Sequence, residues 1–304
     1  MTEIPGFQKF MLPLLKFVSD KKEHSTNEAL EYIALEFNLT EEQQNEWLPS
    51  GNQKVFSNRV FWAKSYLKMA GLIENTKRAH FKITERGLLT LNENPEEINI
   101  KYLKKFPDFL ELSEGWKNSS TNNDNEEEIQ TPQTPEELLE NSYQDIRKSL
   151  AQEILSKIKL CSPFFFEKLV VELLVKMGYG GSRTDAGKAI GKSGDEGIDG
   201  IIKEDKLGLD IIYIQAKRWE SVVGKPEIQK FVGALAGQEA KKGIFITTSR
   251  FTIDARDYIP RNETKIVLID GEHLANLLID NDLGVSKQVV YEIKKIDLDF
   301  FEEE

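Results

Sequence analysis

The chain has 304 residues, of which 39% are hydrophobic and 30% charged, with a formal net charge of −11. That length is more than one hydrophobic core usually serves and predicts two domains, while the lack of any apolar run of roughly eighteen residues excludes a helical membrane span. A single cysteine, Cys161, excludes an internal disulfide framework, and with only His24, His80 and His273 no Cys/His zinc cluster can form, so a catalytic metal would have to rest on oxygen ligands.

The first sixteen residues carry Lys9 and Pro13 within their apolar stretch and lack a basic leader. They do not read as a signal peptide, and a cytoplasmic location is expected. Phe7, Phe10, Met11, Leu14, Leu15 and Val18 recur at helical spacing, as do Ala29, Ile33, Ala34 and Phe37 after the capping candidates Ser25 and Thr26. A third helix is predicted over Ser57–Ala70, stopped by Gly71. After it Leu72 and Ile73, then Phe81 and Ile83, read as two strands around a turn at 75–79. Three helices and a hairpin, within residues 1–95, is the order of a winged helix, a relative of helix-turn-helix domains whose last helix enters the major groove.

Charge read by region supports a DNA-facing surface there. Residues 1–95 carry 12 basic and 12 acidic groups, whereas 96–150 carry 6 and 13, so the acidic excess lies largely in the middle of the chain. Arg59, Lys64, Lys68, Lys77, Arg78 and Lys82, with Lys54 and Arg86, fall on the third helix, its approach and the wing, and would neutralise phosphates. The alternative is a winged helix that binds protein, with these cations as a solvated face.

Residues 117–135, KNSSTNNDNEEEIQTPQTP, are polar, acidic and nearly free of apolar side chains. Such a composition cannot pack a core, and 96–135 is expected to be an acidic connection and flexible linker. The block from 136 to 304 reads as mixed α/β. Helices are predicted at 135–158, 163–177, 226–238, 252–258 and 271–279, and strands at 198–202, 211–216, 243–248 and 265–269, giving a sheet with helices on both faces.

Hydrolysing a phosphodiester with magnesium needs oxygen ligands to hold the ion, a water activated by it, and a cation beside the phosphate. Asp199, in GDEGIDG, stands at the start of one predicted strand, and Gln215, Ala216 and Lys217, in IIYIQAKRW, end the next. Residues 215 and 217 share a face because side chains alternate along a strand. Converging strand ends would let Asp199, the Gln215 amide and the Ala216 carbonyl ligate the metal. Lys217 would then lie beside the attacking water, with Arg218 and Trp219 placed to contact DNA. The same pattern taken alone also fits a turn aspartate and a solvated lysine.

Beyond these residues, FFFEKLVVELLVKMGYGG, GDEGIDG, IQAKRW, the ALAGQ helix end and GIFITTSRFT resemble the Mrr family of modification-dependent restriction endonucleases, within the PD-(D/E)xK superfamily, and residues 1–95 resemble its N-terminal domain. The resemblance implies Asp199 as metal ligand, Gln215 in the acidic position of the (D/E)xK pair, Lys217 as its lysine and Glu167 as a further site carboxylate. It also implies methylated duplex DNA as substrate, magnesium (or manganese) as cofactor, and a homo-oligomer, because cutting both strands takes two sites. Two departures from the superfamily stand out: Ile198, not proline, precedes Asp199, and position 215 is an amide. A neutral amide binds magnesium less strongly than a carboxylate, so Glu167 or Glu196 is expected to compensate; a Gln here does belong to the Mrr pattern.

GKAIGKS at 187–193 resembles a P-loop but has three residues where that motif needs four and leads into no helix, so ATP is not expected. The sequence therefore predicts a magnesium-dependent DNA endonuclease. Its rivals are a non-catalytic DNA-binding regulator and a structure-specific repair nuclease built on the same core.

Overall fold

A computed structural model describes residues 3–111, 133–180, 198–205, 209–258, 264–294 and 296. The chain divides into two compact units, Met1–Gln144 with Lys294–Glu304, and Asp145–Ile293.

The first unit opens with α1 (Phe7–Phe17), whose Phe7, Phe10, Met11, Leu14 and Leu15 are all buried. A two-residue strand, β1 (His24–Ser25), leads into α2 (Thr26–Glu36) through a capping box: the Ser25 hydroxyl accepts from the Glu28 amide, and the Glu28 carboxylate accepts from the Ser25 amide. A short α3 (Glu41–Gln44) precedes α4 (Val55–Met69), which packs on α1 and leads into the hairpin of β2 (Ile73–Lys77) and β3 (His80–Ile83). The sheet order is β1-β3-β2, all antiparallel.

Sequence periodicity predicted the three long helices and the hairpin, but not β1, because a two-residue strand carries no period to read. The core also runs past residue 95: after α5 (Glu85–Asn92) and α6 (Ile100–Leu103), Ile98, Leu103 and Phe109 are buried in the same cluster as Phe10 and Leu14.

The helix after the acidic stretch, α7 (Pro135–Leu160), begins inside the first unit. Its first turn is pinned there. Thr134 donates its hydroxyl to Asn58, Trp62 donates to Glu136, and the Arg59 guanidinium pairs with Glu137 at 2.7 Å, both side chains being buried. The expected boundary at 135 thus falls among contacts of the first unit, because Thr134 at the end of the expected linker and Glu136 and Glu137 just after it find partners on α4.

In the second unit α7 continues into α8 (Pro163–Lys176), capped by Ser162 and started by Pro163. A four-stranded sheet follows in the order β4 (Gly200–Lys203), β5 (Ile211–Lys217), β6 (Lys242–Thr247), β7 (Lys265–Ile269), antiparallel between β4 and β5 and parallel thereafter. Crossing helices α9 (Lys225–Gly237), α10 (Ile253–Arg256) and α11 (Gly271–Asp280) complete it.

Two apolar clusters line the two faces. One joins Phe166, Val170 and Leu174 of α8 to Ile212, Ile214 and Ala216; the other joins Phe231 of α9 to Phe245 and Phe251. Alternate residues of β5 thus feed opposite layers. Gly243 makes the α9 contact possible, since a Cβ there would lie 2.7 Å from Leu235 and 2.8 Å from the Phe231 ring. The sheet with helices on both faces is the one predicted from the apolar strand pattern.

Candidate active site

β4 and β5 run antiparallel with Gly200 opposite Ile214, so Asp199, one residue before β4, continues the ladder and donates its amide to the Ile214 carbonyl at 2.9 Å. Its Oδ2 accepts the Ala216 amide at 2.8 Å and lies 4.0 Å from Lys217 Nζ. The antiparallel register therefore brings together Asp199 and Lys217, residues eighteen positions apart in sequence. Glu167 of α8 is close enough to respond to both. Burial raises its pKa, the Asp199 carboxylate raises it further, and Lys217 opposes the shift.

Gln215 is 7% exposed, and its Oε1 finds no hydrogen-bond donor among the described residues. A buried amide oxygen left without a donor costs free energy, so its position calls for a partner beyond the described residues.

The exit of β5 is held by polar groups at the end of β6. Thr247 donates its hydroxyl to the Lys217 carbonyl at 2.9 Å, Thr248 to the Trp219 carbonyl at 2.8 Å, and Ser249 to the Glu220 carbonyl at 3.2 Å. All three side chains are buried. Sequence reasoning assigned them no role, although a TTS run ending an apolar strand is a readable signal of buried hydroxyls that must be satisfied. They fix the backbone that carries Lys217.

Residues 158–278 match the family model described as restriction endonuclease, and residues 7–93 match the Mrr N-terminal domain. The type IV methyl-directed restriction enzyme EcoKMrr of Escherichia coli (strain K12) is 38% identical over 98% of this chain and 99% of its own. The chain belongs to the Mrr family of restriction endonucleases. Two solved structures are also similar: the DNA modification-dependent restriction endonuclease AspBHI, at 16% identity and TM-score 0.34 over 44% of this chain and 36% of that one, and the MspJI restriction endonuclease in complex with a 27-mer oligonucleotide, at 21% identity and TM-score 0.33 over 43% and 31%.

A restriction endonuclease domain implies a divalent cation, and the donors of this Mrr chain fit one. Asp199 and Glu167 offer carboxylate oxygens, and Gln215 an amide oxygen with no donor among the described residues, all hard ligands suited to such an ion. No group of three Asp, Glu, His or Cys side chains gathers among the described residues. Glu196 and the GKAIGKS segment lie outside the described residues.

The expected DNA contacts divide. Lys68, Lys77 and Arg78 are exposed, Lys82 is half-exposed, and Lys77 and Lys82 pair with Glu23 and Glu74. Lys64 is half-buried, donates to the Thr26 hydroxyl at 3.0 Å and lies 4.5 Å from the Phe81 ring centroid. Burial, helped by Lys68, pushes its pKa down to about 8. Arg59 is a correction. Its guanidinium is buried against Glu137 and the Ile4 and Pro5 carbonyls, so it holds the fold and presents no charge to DNA. Arg218, half-exposed and next after β5, donates Nη1 to the Lys159 carbonyl near the end of α7 at 2.5 Å.

Proposed function

We propose that this chain is a magnesium-dependent endonuclease that cuts methylated duplex DNA, with a winged-helix first unit that binds the duplex and a second unit that hydrolyses it. The observation that carries the reading is the juxtaposition of Asp199 with Lys217, together with a Gln215 oxygen that has no donor among the described residues. The α1–α2–α4 and hairpin order of the first unit, with cations on α4 and the hairpin, supports the winged helix. The methyl-directed relative supports the choice of substrate.

Asp199, Gln215 and Glu167, with the Ala216 carbonyl, would hold magnesium, for which manganese can substitute. The chemistry the ion supplies when bound is Lewis acidity toward water and phosphate oxygen. Lys217 orients the scissile phosphate and stabilises negative charge developing on it. The Ala216 amide, by donating to Asp199 Oδ2, fixes the carboxylate's orientation. The bond broken is P–O3′, leaving a 5′-phosphate and a 3′-hydroxyl. Cleavage of both strands calls for two such sites, hence a homo-oligomer, and the DNA substrate places the enzyme in the cytoplasm.

The test is nicking and linearisation of supercoiled plasmid, methylated and unmethylated, with magnesium or EDTA, using Lys217→Ala as control. Magnesium-dependent cutting of methylated plasmid, reduced by about a hundredfold or more in Lys217→Ala, is expected. Intact plasmid in every lane alongside salt-sensitive binding would instead make the protein a DNA-binding regulator.

A further inference from the structure

On α4 the residues Phe56, Val60, Ala63 and Leu67 face the core. Phe61 does not. It is 41% exposed and is the one large apolar side chain that α4 leaves at the surface. Its neighbours one turn either way are Ser57, Lys64 and Ser65, with Lys68 a turn further. Short serines on both sides leave the ring standing above a polar, basic face.

The hairpin packs against the same helix: Lys64 Nζ lies 4.5 Å from the centroid of the buried Phe81 ring of β3. Lys64 and Lys68 follow Phe61 on the helix, and the hairpin carries Lys77, Arg78 and Lys82, with Glu23 and Glu74 offsetting two of these. Cations on these two elements complement phosphates and repel basic partners. An apolar ring exposed on the same helix as Lys64 and Lys68 adds something phosphate binding does not use.

Methyl groups on cytosine C5, cytosine N4 or adenine N6 all project into the major groove, the groove wide enough for a helix, where the apolar contact of a Phe with a base methyl is a recognised mode of readout. Resting on the proposed DNA-binding role of this unit, we propose that Phe61 is the side chain that distinguishes methylated from unmethylated duplex, by burying the base's methyl group against its ring. An unmethylated base leaves the ring half in water and, at N6 or N4, presents an N–H for which the ring is a weaker acceptor than water.

The test uses the full-length protein in EDTA, which stops cleavage, and a duplex of fixed sequence prepared unmodified, with 5-methylcytosine or with N6-methyladenine. Wild type should bind one methylated form about tenfold more tightly than the unmodified duplex. Phe61→Ala should bring that ratio close to one while leaving affinity for unmodified duplex and the melting temperature unchanged; Phe61→Leu, which keeps apolar surface, should retain part of the preference. A preference that survives Phe61→Ala overturns the assignment and leaves the ring to a protein contact. So does an equal loss for all three duplexes. A Lys68→Ala/Arg78→Ala protein separates the two levels of the reading. If it binds weakly while Phe61→Ala still discriminates, only the role of Phe61 falls; if it binds all duplexes as wild type does, DNA reading by this unit falls with it.

Discussion

Gln215 puts an amide where a carboxylate would bind a divalent cation more strongly, and its Oε1 lacks a hydrogen-bond donor among the described residues. Were the residue structural, Gln215→Leu would relieve an unsatisfied buried oxygen and raise stability. As a metal ligand it sets a different expectation: Gln215→Leu should melt at or above the wild-type temperature yet lose plasmid cleavage, and Gln215→Glu should retain cleavage at lower magnesium concentration. Titrating activity against magnesium for both variants separates the cases, and a Gln215→Leu protein as active as wild type would remove this residue from the metal site. That Asp199, Gln215 and Lys217 stand where apolar strands begin or end was legible in the sequence, because polar residues interrupting an apolar run mark a strand end. For Thr247, Thr248 and Ser249 the run signals hydroxyls to be satisfied but not their partners, which are backbone carbonyls thirty or so residues away that only the parallel β5–β6 pairing brings near.

At the scale of elements, α4 carries two kinds of cation that sequence could not separate. Arg59 is buried on Glu137, and breaking a buried ion pair leaves an uncompensated charge. Arg59→Ala or Glu137→Ala should therefore each destabilise the first unit by about 3–5 kcal/mol, while replacing both with apolar residues of similar volume should cost much less. Denaturant melts of the two single variants and the double variant report this, and equal losses in all three would show that the pair acts independently of charge.

Lys64, on the same helix, behaves differently because burial lowers its pKa from 10.5 to about 8. Between those values the unfolded chain binds more protons than the folded one, so this group makes stability rise with pH. The penalty for burying the charged form is full below about pH 8 and is relieved as pH climbs through the window. The difference in melting temperature between wild type and Lys64→Met should accordingly shift in favour of wild type on going from neutral pH to above 8. A pH-independent difference would mean the ammonium is not desolvated by Phe81 and Thr26.

Over the whole molecule, a net charge of −11 sits on a protein that acts on a polyanion. Binding must therefore depend on local positive surface, and its strength should fall steeply with salt. Each of Lys68→Ala and Arg78→Ala should weaken binding to every duplex alike and reduce the slope of log K against log salt by about one, measured by anisotropy at a series of ionic strengths. An unchanged slope would locate the phosphate contacts elsewhere.

Local pattern alone determined the longer helices, the hairpin and the four strands of the second sheet, and that Asp199 and the QxK run stand at strand ends, because those features are written in the periodicity and turn chemistry of neighbouring residues; β1, α3, α5 and α6 escaped it. Position in space was another matter. That Arg59 is a buried anchor and not a DNA contact, that the residues after the acidic stretch grip α4, and that Phe61 is left outside the core all depend on which face of α4 meets its surroundings. Those choices are settled by side chains distant in sequence, Glu137 and Thr134 among them, whose burial no local pattern announces.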